Sequence, residues 1–348
     1  MRGRVLAAVV AGWAGAAAAR SGEGVTVAAW LATTWDYEAS YASFVAHAAV
    51  LDEISPIWYW VTADGRAVAR RPNWATADDP GPCEAEIRRA CRVHGIRLIP
   101  LISNSSARKG FDADLVGRIV RSEGLRGLHV RHLVDLAVDR EYDGIEVDYE
   151  SLHGADRDAY STFLAELAGA LHDRGKRLAV ALQAKTDEAG SEWGSAAHDY
   201  AAIGRVVDSV RIMAYDHHWS TGPAGPVAPL PWFRQVLAFA SSAIPCERLL
   251  MGVPTYGYDW TGRRTGKSVD VAARDAAAQA RRKGAALEWD PVSNSPFFRY
   301  REGERAREVW YESAACLPQK LKAVREAGVA GIAIFRLGSE EESFWSPL

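Results

Sequence analysis

Eight short, nearly continuous apolar segments recur along this chain, and segments with helical spacing separate them. Such segments are typical of parallel β-strands covered by helices, because strands buried on both faces lose their polar alternation. They lie at residues 25–32, 54–61, 97–103, 142–150, 177–185, 206–216, 248–256 and 329–337. Eight β/α units predict an α/β fold, a (β/α)8 barrel. A doubly wound open sheet is the alternative, but no GxGxxG sequence follows the first strand.

Helices are predicted between these strands wherever apolar residues recur at helical spacing. Asp156 or Asp158 can cap the helix that leads to His172, and Gly175 lies where that helix should end. The clearest helical segments are residues 83–94, 156–174 and 231–242.

The spacing of the units is regular except between the seventh and eighth strands, where the connection is about twice the length of a simple β/α unit. It contains a predicted helix and then several strand-like segments, so we expect a small α+β insertion at residues 261–327. The predicted helix is 269–283, and the strand-like segments are 287–290, 297–300 and 309–311.

The N-terminus has a basic start, Met1-Arg-Gly-Arg4, followed by an apolar, Ala-rich run. This pattern predicts a signal peptide at residues 1–22 and a secreted or cell-wall-associated domain at 23–348. An uncleaved anchor and an Ala-rich unstructured N-terminus are the alternatives. The net charge of −3, without a basic stripe, argues against nucleic acid or, after signal cleavage, a membrane as partner. We expect a monomer.

The four cysteines lack the spacing of metal ligands, and the nine histidines are scattered. We therefore expect neither a metal nor another cofactor. Export would permit disulfides. If Cys83 and Cys91 share one helix, they lie about 12 Å apart, too far for a bridge. The pairing of Cys83, Cys91, Cys246 and Cys316 stays open.

The fourth strand-like segment carries a dense group of carboxylates. Glu146, Asp148 and Glu150 alternate with apolar or aromatic residues, so they share one face of a strand, with neighbours about 6.6 Å apart. Each ionised carboxylate makes the next harder to ionise, which suggests an acid/base site. An exposed edge strand that uses charge to resist aggregation is the alternative.

The C-terminal ends of barrel strands are where barrel enzymes place their active sites. Here those ends bring acids, amides and aromatic rings to one rim, which favours a carbohydrate site over a phosphate site. Besides the carboxylates, they include Asn104, Gln183, Met213, Tyr215, Asp216, Tyr256 and Phe335.

Three of these segments resemble motifs of glycoside hydrolase family 18, the chitinase and N-acetylglucosaminidase family. Residues 143–150, DGIEVDYE, resemble its DGxDxDxE motif, and residues 213–216, MAYD, resemble its MxYD motif. Residues 252–257, GVPTYG, resemble its seventh-strand motif. Residues 225–229 and 288–298 are most similar to the branch of spore-cortex and peptidoglycan-associated members.

The resemblance implies hydrolysis of a β-linked N-acetylglucosamine polysaccharide by a retaining mechanism in which the substrate acetamido group is the nucleophile. Glu150 matches the general acid, and Asp148 matches the residue that binds the acetamido N–H. Tyr215 matches the phenol that holds the acetamido carbonyl, with Asp216 nearby. An ionised Asp148 would also raise the pKa of Glu150.

The chain departs from the family pattern at two positions. Glu146 stands where the family has Asp, and its extra methylene would move the carboxylate by about 1.5 Å and alter proton sharing with Asp148. Phe335 stands where the family has the Trp of the sugar-binding floor. Trp345 could add a ring there or belong to the core. Asp143 faces away from Glu150 by strict alternation, so we interpret it as structural support.

The remaining candidates have structural alternatives of similar weight. Gln183 and Tyr256 could contact the glycan or only pack, and Met213 is better explained as lining of the barrel interior. Trp193 and Trp219 could be glycan platforms or packing residues. The rival to a hydrolase is a lectin-like barrel that binds glycan without cleaving it; retention of Glu150, Asp148 and Tyr215 favours the enzyme.

Overall fold

The structure, a computed structural model, describes residues 24–69, 83–106, 110–191, 194–261 and 268–348. The predicted signal peptide and Trp193 lie outside these residues. No helix in the described ranges is long and apolar enough to span a bilayer.

The strands and helices alternate along most of the chain. In order, the strands are β1 (Thr26–Leu31), β2 (Glu53–Val61), β3 (Ala67–Ala69), β4 (Arg97–Leu98), β5 (Leu101–Ser103), β6 (Ser105–Ser106), β7 (Gly110–Phe111), β8 (Gly144–Asp148), β9 (Arg177–Gln183), β10 (Ser209–Met213), β11 (Leu249–Pro254), β12 (Tyr256–Thr261), β13 (Ser268–Ala272), β14 (Glu288–Asp290), β15 (Ser295–Glu302), β16 (Arg305–Tyr311) and β17 (Gly331–Phe335). The helices are α1 (Tyr37–His47), α2 (Cys83–His94), α3 (Ala113–Arg121), α4 (Glu123–Asp139), α5 (Arg157–His172), α6 (Tyr200–Val206), α7 (Leu230–Ala243), α8 (Ala273–Arg282) and α9 (Leu317–Glu326).

Eight parallel strands close into a barrel in the order β1, β2, β5, β8, β9, β10, β11, β17, with β17 pairing back to β1. The predicted (β/α)8 barrel is therefore confirmed. Apolar residues on the outer face of each strand, such as Ile145 and Val147, pack against the helices in one continuous core. The alternate residues, such as Glu146, point into the barrel.

The predicted helical segments form α2, α5 and α7. Asp156 is the N-cap residue of α5, but its side chain makes no capping hydrogen bond. Instead its carboxylate forms an ion pair with Arg121 of α3 at 3.0 Å. The guanidinium takes the place of the backbone N–H groups that a capping side chain would bind. Gly175, with φ of 65°, follows the end of α5 in the left-handed conformation expected there.

The connection between β11 and β17 holds a five-stranded antiparallel sheet in the order β13, β12, β16, β15, β14, together with α8. The sheet begins at Tyr256, earlier than the boundary predicted at 261, because β12 follows β11 almost directly. The predicted helix 269–283 is wrong in its first turn. Residues 268–272 form β13, since they pair with β12 and cover its edge.

The thiols of Cys91, Cys246 and Cys316 are free, and Cys91 and Cys316 are buried. The side chain of Cys83 lies outside the described residues. Burial raises the pKa of the Cys91 thiol to about 12, so this group stays protonated and packs as a small apolar side chain.

Candidate active site

Strand β8 carries Glu146 and Asp148 on its inward face, and Glu150 follows directly beyond its end. Asp216 approaches from beyond the end of β10, which is two strands away around the barrel. We call Asp148, Glu150 and Asp216 the acid cluster. None of its three carboxyls forms an ion pair within the described part of the chain, and one oxygen of Asp148, Oδ1, is buried there without a hydrogen-bond partner.

The missing counter-charge changes the acidity of the cluster. Removal from water raises the pKa of Glu150 to about 8, and the negative charge of Asp216 adds to the effect. Burial, then Glu150, then Glu146 raise the pKa of Asp148 well above its ordinary value. The sequence predicted that an ionised Asp148 raises the pKa of Glu150. In the structure the charge that raises the pKa of Glu150 is that of Asp216, and Glu150 in turn raises the pKa of Asp148. At neutral pH Glu150 holds a proton that it can donate.

Asn104, just after β5, fixes the backbone of Glu150. Its Nδ2 donates to the Glu150 carbonyl at 3.0 Å, and its Oδ1 accepts from the Glu150 N–H at 3.0 Å. The next residue, Ser151, has φ of 56°, so the chain turns sharply after the acid. The sequence placed Asn104 at a strand end without assigning it a role.

The insertion supplies two hydrogen-bond donors to the acid cluster. The hydroxyls of Tyr256 and Tyr258 donate to Oδ1 of Asp216 at 2.5 and 2.9 Å. Burial raises the pKa of Asp216, and these two bonds oppose that rise. Tyr256 was expected at the end of the seventh strand as a sugar contact. It lies in β12 instead, and its hydroxyl holds Asp216.

Aromatic rings form one wall beside the carboxyls. Phe335, at the end of β17, stacks on Tyr215 with ring centroids 5.3 Å apart. The ring of Trp30 meets Phe335 edge-on at 5.8 Å, and Met213 packs against the same group. Burial raises the pKa of the Tyr215 phenol, so it remains a neutral donor. Trp30 was missed because it lies inside a continuous apolar segment, where a Trp resembles any core residue.

Three other candidates have positions that the structure describes. Trp345 stacks on His47 of α1 at 4.2 Å and joins the core outside the barrel, so the packing alternative applies to it. Asp143 accepts a hydrogen bond from the Leu98 N–H at 2.7 Å, as a structural support would. Gln183 ends β9 with its Oε1 buried and without a hydrogen-bond partner in the described structure.

Glu146 lies deeper in the barrel, fully buried, beside the guanidinium of Arg211. Its Oε1 accepts from Trp30 Nε1 at 3.0 Å, and its Oε2 accepts from Arg211 Nη1. Arg211 also donates to Glu53 at 2.8 Å, and Glu53 in turn accepts from Arg97 at 2.9 Å. We call Glu53, Arg97, Glu146 and Arg211 the paired cluster, because two cations balance two carboxylates.

Within the described residues, no group of three His, Cys, Asp or Glu side chains is arranged to hold a metal ion. What the site offers is a protonatable carboxyl, a second carboxyl coupled to it, a neutral phenol and an aromatic wall. This set can donate a proton, position a polar substituent and stack against the apolar face of a sugar ring.

Comparisons with known proteins agree with this chemistry. The family model "Glycosyl hydrolases family 18" matches residues 101–340. The chain is 31% identical over 256 residues to the uncharacterized glycosylase YvbX of Bacillus subtilis, covering 73% of this chain and 74% of the relative. It is 32% identical over 268 residues to the cortical fragment-lytic enzyme of the same organism, covering 76% of this chain and 62% of that enzyme.

Among solved structures, the fold matches a chitinase from Chromobacterium violaceum with a TM-score of 0.83 and 28% identity. The match covers 93% of this chain and 97% of that chain. Both the family model and these likenesses include the strands that carry the acid cluster. The chain belongs to family 18 of the glycosyl hydrolases.

Proposed function

We propose that this protein hydrolyses β-linked N-acetylglucosamine glycans with retention of configuration, using the substrate acetamido group as the nucleophile. The observation that carries the proposal is the raised pKa of Glu150 beside a second carboxyl, Asp148, and a neutral phenol, Tyr215. Such a site keeps an acid protonated at neutral pH and presents polar groups to an amide.

In the first step Glu150 gives its proton to the glycosidic oxygen, and the bond from that oxygen to the anomeric carbon breaks. The acetamido carbonyl oxygen forms a bond to the same carbon, which gives an oxazolinium intermediate. Glu150, now ionised, takes a proton from water, and that water opens the intermediate. No carboxylate of the protein needs to bond to the sugar.

Asp148 and Tyr215 serve the acetamido group in this scheme. Asp148 accepts from its N–H and balances the developing positive charge, and its unpartnered Oδ1 is free to make that bond. The Tyr215 hydroxyl donates to the carbonyl oxygen. Phe335 and Tyr215 offer ring faces to the sugar, although Phe335 gives a smaller surface than a Trp would.

The relatives support a glycan substrate, and N-acetylglucosamine as its sugar is part of our proposal. One relative is named for lysis of cortical fragments and one structural neighbour is a chitinase, so both peptidoglycan strands and chitin-like oligomers are candidate substrates. We further propose export through the segment at residues 1–22 and action outside the cell or at the wall. N-terminal sequencing of the mature protein tests the export.

Turnover is tested with wild type and Glu150→Gln on chitin oligomers and on purified peptidoglycan, with mass analysis of the products. We expect the variant to lose cleavage by at least about 100-fold, as for removal of a general acid, and to keep glycan binding. Glu166→Gln, a similar change in a surface ion pair with Arg126, is the control and should cleave normally.

Two outcomes would contradict the proposal. Wild type that binds glycan but shows no turnover across a pH series favours a lectin-like barrel. A substrate with hydroxyl in place of acetamido that is cleaved at an unchanged rate shows that the enzyme uses its own nucleophile.

A further inference from the structure

The paired cluster occupies a part of the barrel interior where several strands contribute small side chains. Ala28, Ala181 and Ala333 are fully buried in the same group as Trp30. Ala181 is also the direct neighbour of Arg211 in the pairing of β9 with β10. Because these alanines have small side chains, the barrel interior has room for the large side chains of Arg211 and Trp30.

Glu146 is contacted by donors from three other strands, since the Ser55 hydroxyl of β2 also bonds to its carboxyl. Trp30 of β1 and Arg211 of β10 each donate to one of its oxygens. An indole N–H and a guanidinium can only donate, so both oxygens of Glu146 act as acceptors, as in a carboxylate. An Asp at this position would be shorter by about 1.5 Å and could not reach both donors from the same backbone.

Other groups that face Glu146 come from known elements. Glu53 and Ser55 of β2 both accept hydrogen bonds from Arg211. The remaining barrel strands β5, β9, β11 and β17 present the apolar side chains Leu101, Ala181, Leu250 and Ala333. The titratable or charged groups that act on Glu146 or feel its charge are Arg211, Glu53, Asp148 and Tyr215. Burial raises the pKa of Glu146, and the charge of Arg211 with the hydrogen bonds from Ser55 and Trp30 opposes that rise.

We propose that Arg211 is a positioning residue that holds Glu146 as a carboxylate bonded away from Asp148, so that the acid cluster shares its proton without Glu146. The unpartnered Oδ1 of Asp148 agrees with this, because no hydrogen bond from Glu146 occupies that oxygen. Arg211 and Glu146 therefore act together. A Glu in place of the family's Asp at position 146 works here because the guanidinium of Arg211 lies beside it. The predicted effect of Arg211 on turnover rests on the proposed function. Its predicted effect on proton binding by the acid cluster does not.

The test follows each carboxyl directly by carbon-13 NMR of protein labelled at the Glu side-chain carboxyl carbon. Glu150→Gln and Glu146→Gln assign the two signals by their loss. In wild type we expect the Glu150 signal to titrate with a midpoint of about 8. The Glu146 signal should stay at the ionised position throughout that titration. A Glu146 signal that titrates together with Glu150 in wild type overturns the proposal.

Three variants separate a positioning role from simple structural support. Arg211→Met should make Glu146 titrate and raise the Glu150 midpoint by about one unit, since a buried carboxylate then lacks its counter-charge. Glu146→Gln should lower that midpoint, because Arg211 is left unbalanced. The double variant should return it close to wild type. A double variant that keeps the shift of either single variant shows that Arg211 does not act through Glu146.

The single Arg211 variant can fail to fold, because it leaves buried carboxylates short of a partner. Glu146→Gln and the double variant then decide, since Glu53 keeps Arg97 as its partner in both. Where wild type turns over, the basic limb of the kcat profile should follow the Glu150 midpoint in each variant. Absence of turnover in all proteins would contradict the proposed function, yet the NMR titrations would still test the role of Arg211.

Discussion

The paired cluster and the acid cluster both use carboxyl side chains, and β8 and β10 contribute to both. They differ in whether a positive charge lies beside the carboxyl groups. In the paired cluster, burial acts to raise the pKa of Glu53, and Arg211 and Arg97 together hold it below its ordinary value. Burial raises the pKa of Glu146 in the same cluster, and Arg211 opposes that rise. In the acid cluster, two phenols donate to the carboxyl of Asp216, the amide of Asn104 holds only the backbone of Glu150, and the pKa values of both acids rise.

The difference shows that neighbours decide which carboxyl is structural and which can do chemistry. An Arg neighbour favours the ionised form of a buried carboxyl and opposes the effect of burial on its pKa. A buried carboxyl without a positive charge beside it has a raised pKa and keeps a proton that it can exchange. Changes in the first cluster should therefore affect stability, and changes in the second should affect activity.

The largest effect is expected in the acid cluster. Asp148→Asn should lower kcat by about 100-fold or more, since the amide cannot balance positive charge in the transition state. The melting temperature should hold or rise, because the variant removes a buried carboxyl without an ion-pair partner. Steady-state kinetics and thermal melts test this. Asp139→Asn, on an exposed part of α4, is the control; equal losses in both variants would contradict the assignment.

The paired cluster should give the opposite result. Arg211→Met should lower the free energy of unfolding by about 3–5 kcal/mol, as for a buried pair that loses one partner. Urea denaturation measures the loss. The double change with Glu146→Gln should recover part of it, because fewer buried carboxylates then lack a cation. If the double variant is as destabilised as Arg211→Met, the loss of stability comes from the pairing of Arg211 with Glu53 and not from its pairing with Glu146.

The acid cluster should also make stability depend on pH. The folded-state pKa of Glu150 is raised from 4.5 to about 8, so the folded protein keeps a proton that the unfolded chain releases. The contribution of Glu150 to the free energy of unfolding should be highest below about pH 4.5 and should be lost as the pH rises through about 8. Glu150→Gln should remove about 1 kcal/mol or more of this fall. An unchanged pH dependence in the variant would place the titration elsewhere.

Smaller effects are expected from the groups that hold the acids. Asn104→Ala removes both hydrogen bonds to the Glu150 backbone. We expect kcat to fall about tenfold, because a less well oriented Glu150 should raise the activation free energy by about 1–2 kcal/mol. KM should change less, because the amide of Asn104 bonds to the backbone of Glu150. Asn104→Ser, which retains one polar atom, should be intermediate. A larger effect on KM than on kcat would assign Asn104 to substrate binding.

The fold was predictable because the barrel strands are buried on both faces and so stand out as continuous apolar segments. The carboxyls of β8 were equally visible, since Glu146, Asp148 and Glu150 break that pattern at every second position. The start of β13 was not predictable, because its strand state depends on pairing with β12, which is a tertiary contact.

The roles of Arg211 and Trp30 were hidden for a related reason. Each is a single polar or aromatic residue in an apolar strand, and only the closed barrel brings them to Glu146 from separate strands. Tyr256 was found but misplaced, because the short step from β11 to β12 leaves no turn signal between the strands. Trp345 lies near the end of β17 in sequence, which suggested a place beside Phe335. The chain folds back toward α1 after β17, so Trp345 packs on His47 instead.

The direct passage from β11 into β12 has a consequence for protein engineering. Exchanging the insertion with that of a relative is a direct way to change the surroundings of the acid cluster, since Tyr256 and Tyr258 of the insertion contact Asp216. In this chain such an exchange would also remove Tyr256 and Tyr258, and with them both donors to Asp216. A functional chimaera should therefore keep β12 from this protein and place its junctions beyond Thr261 and before β16.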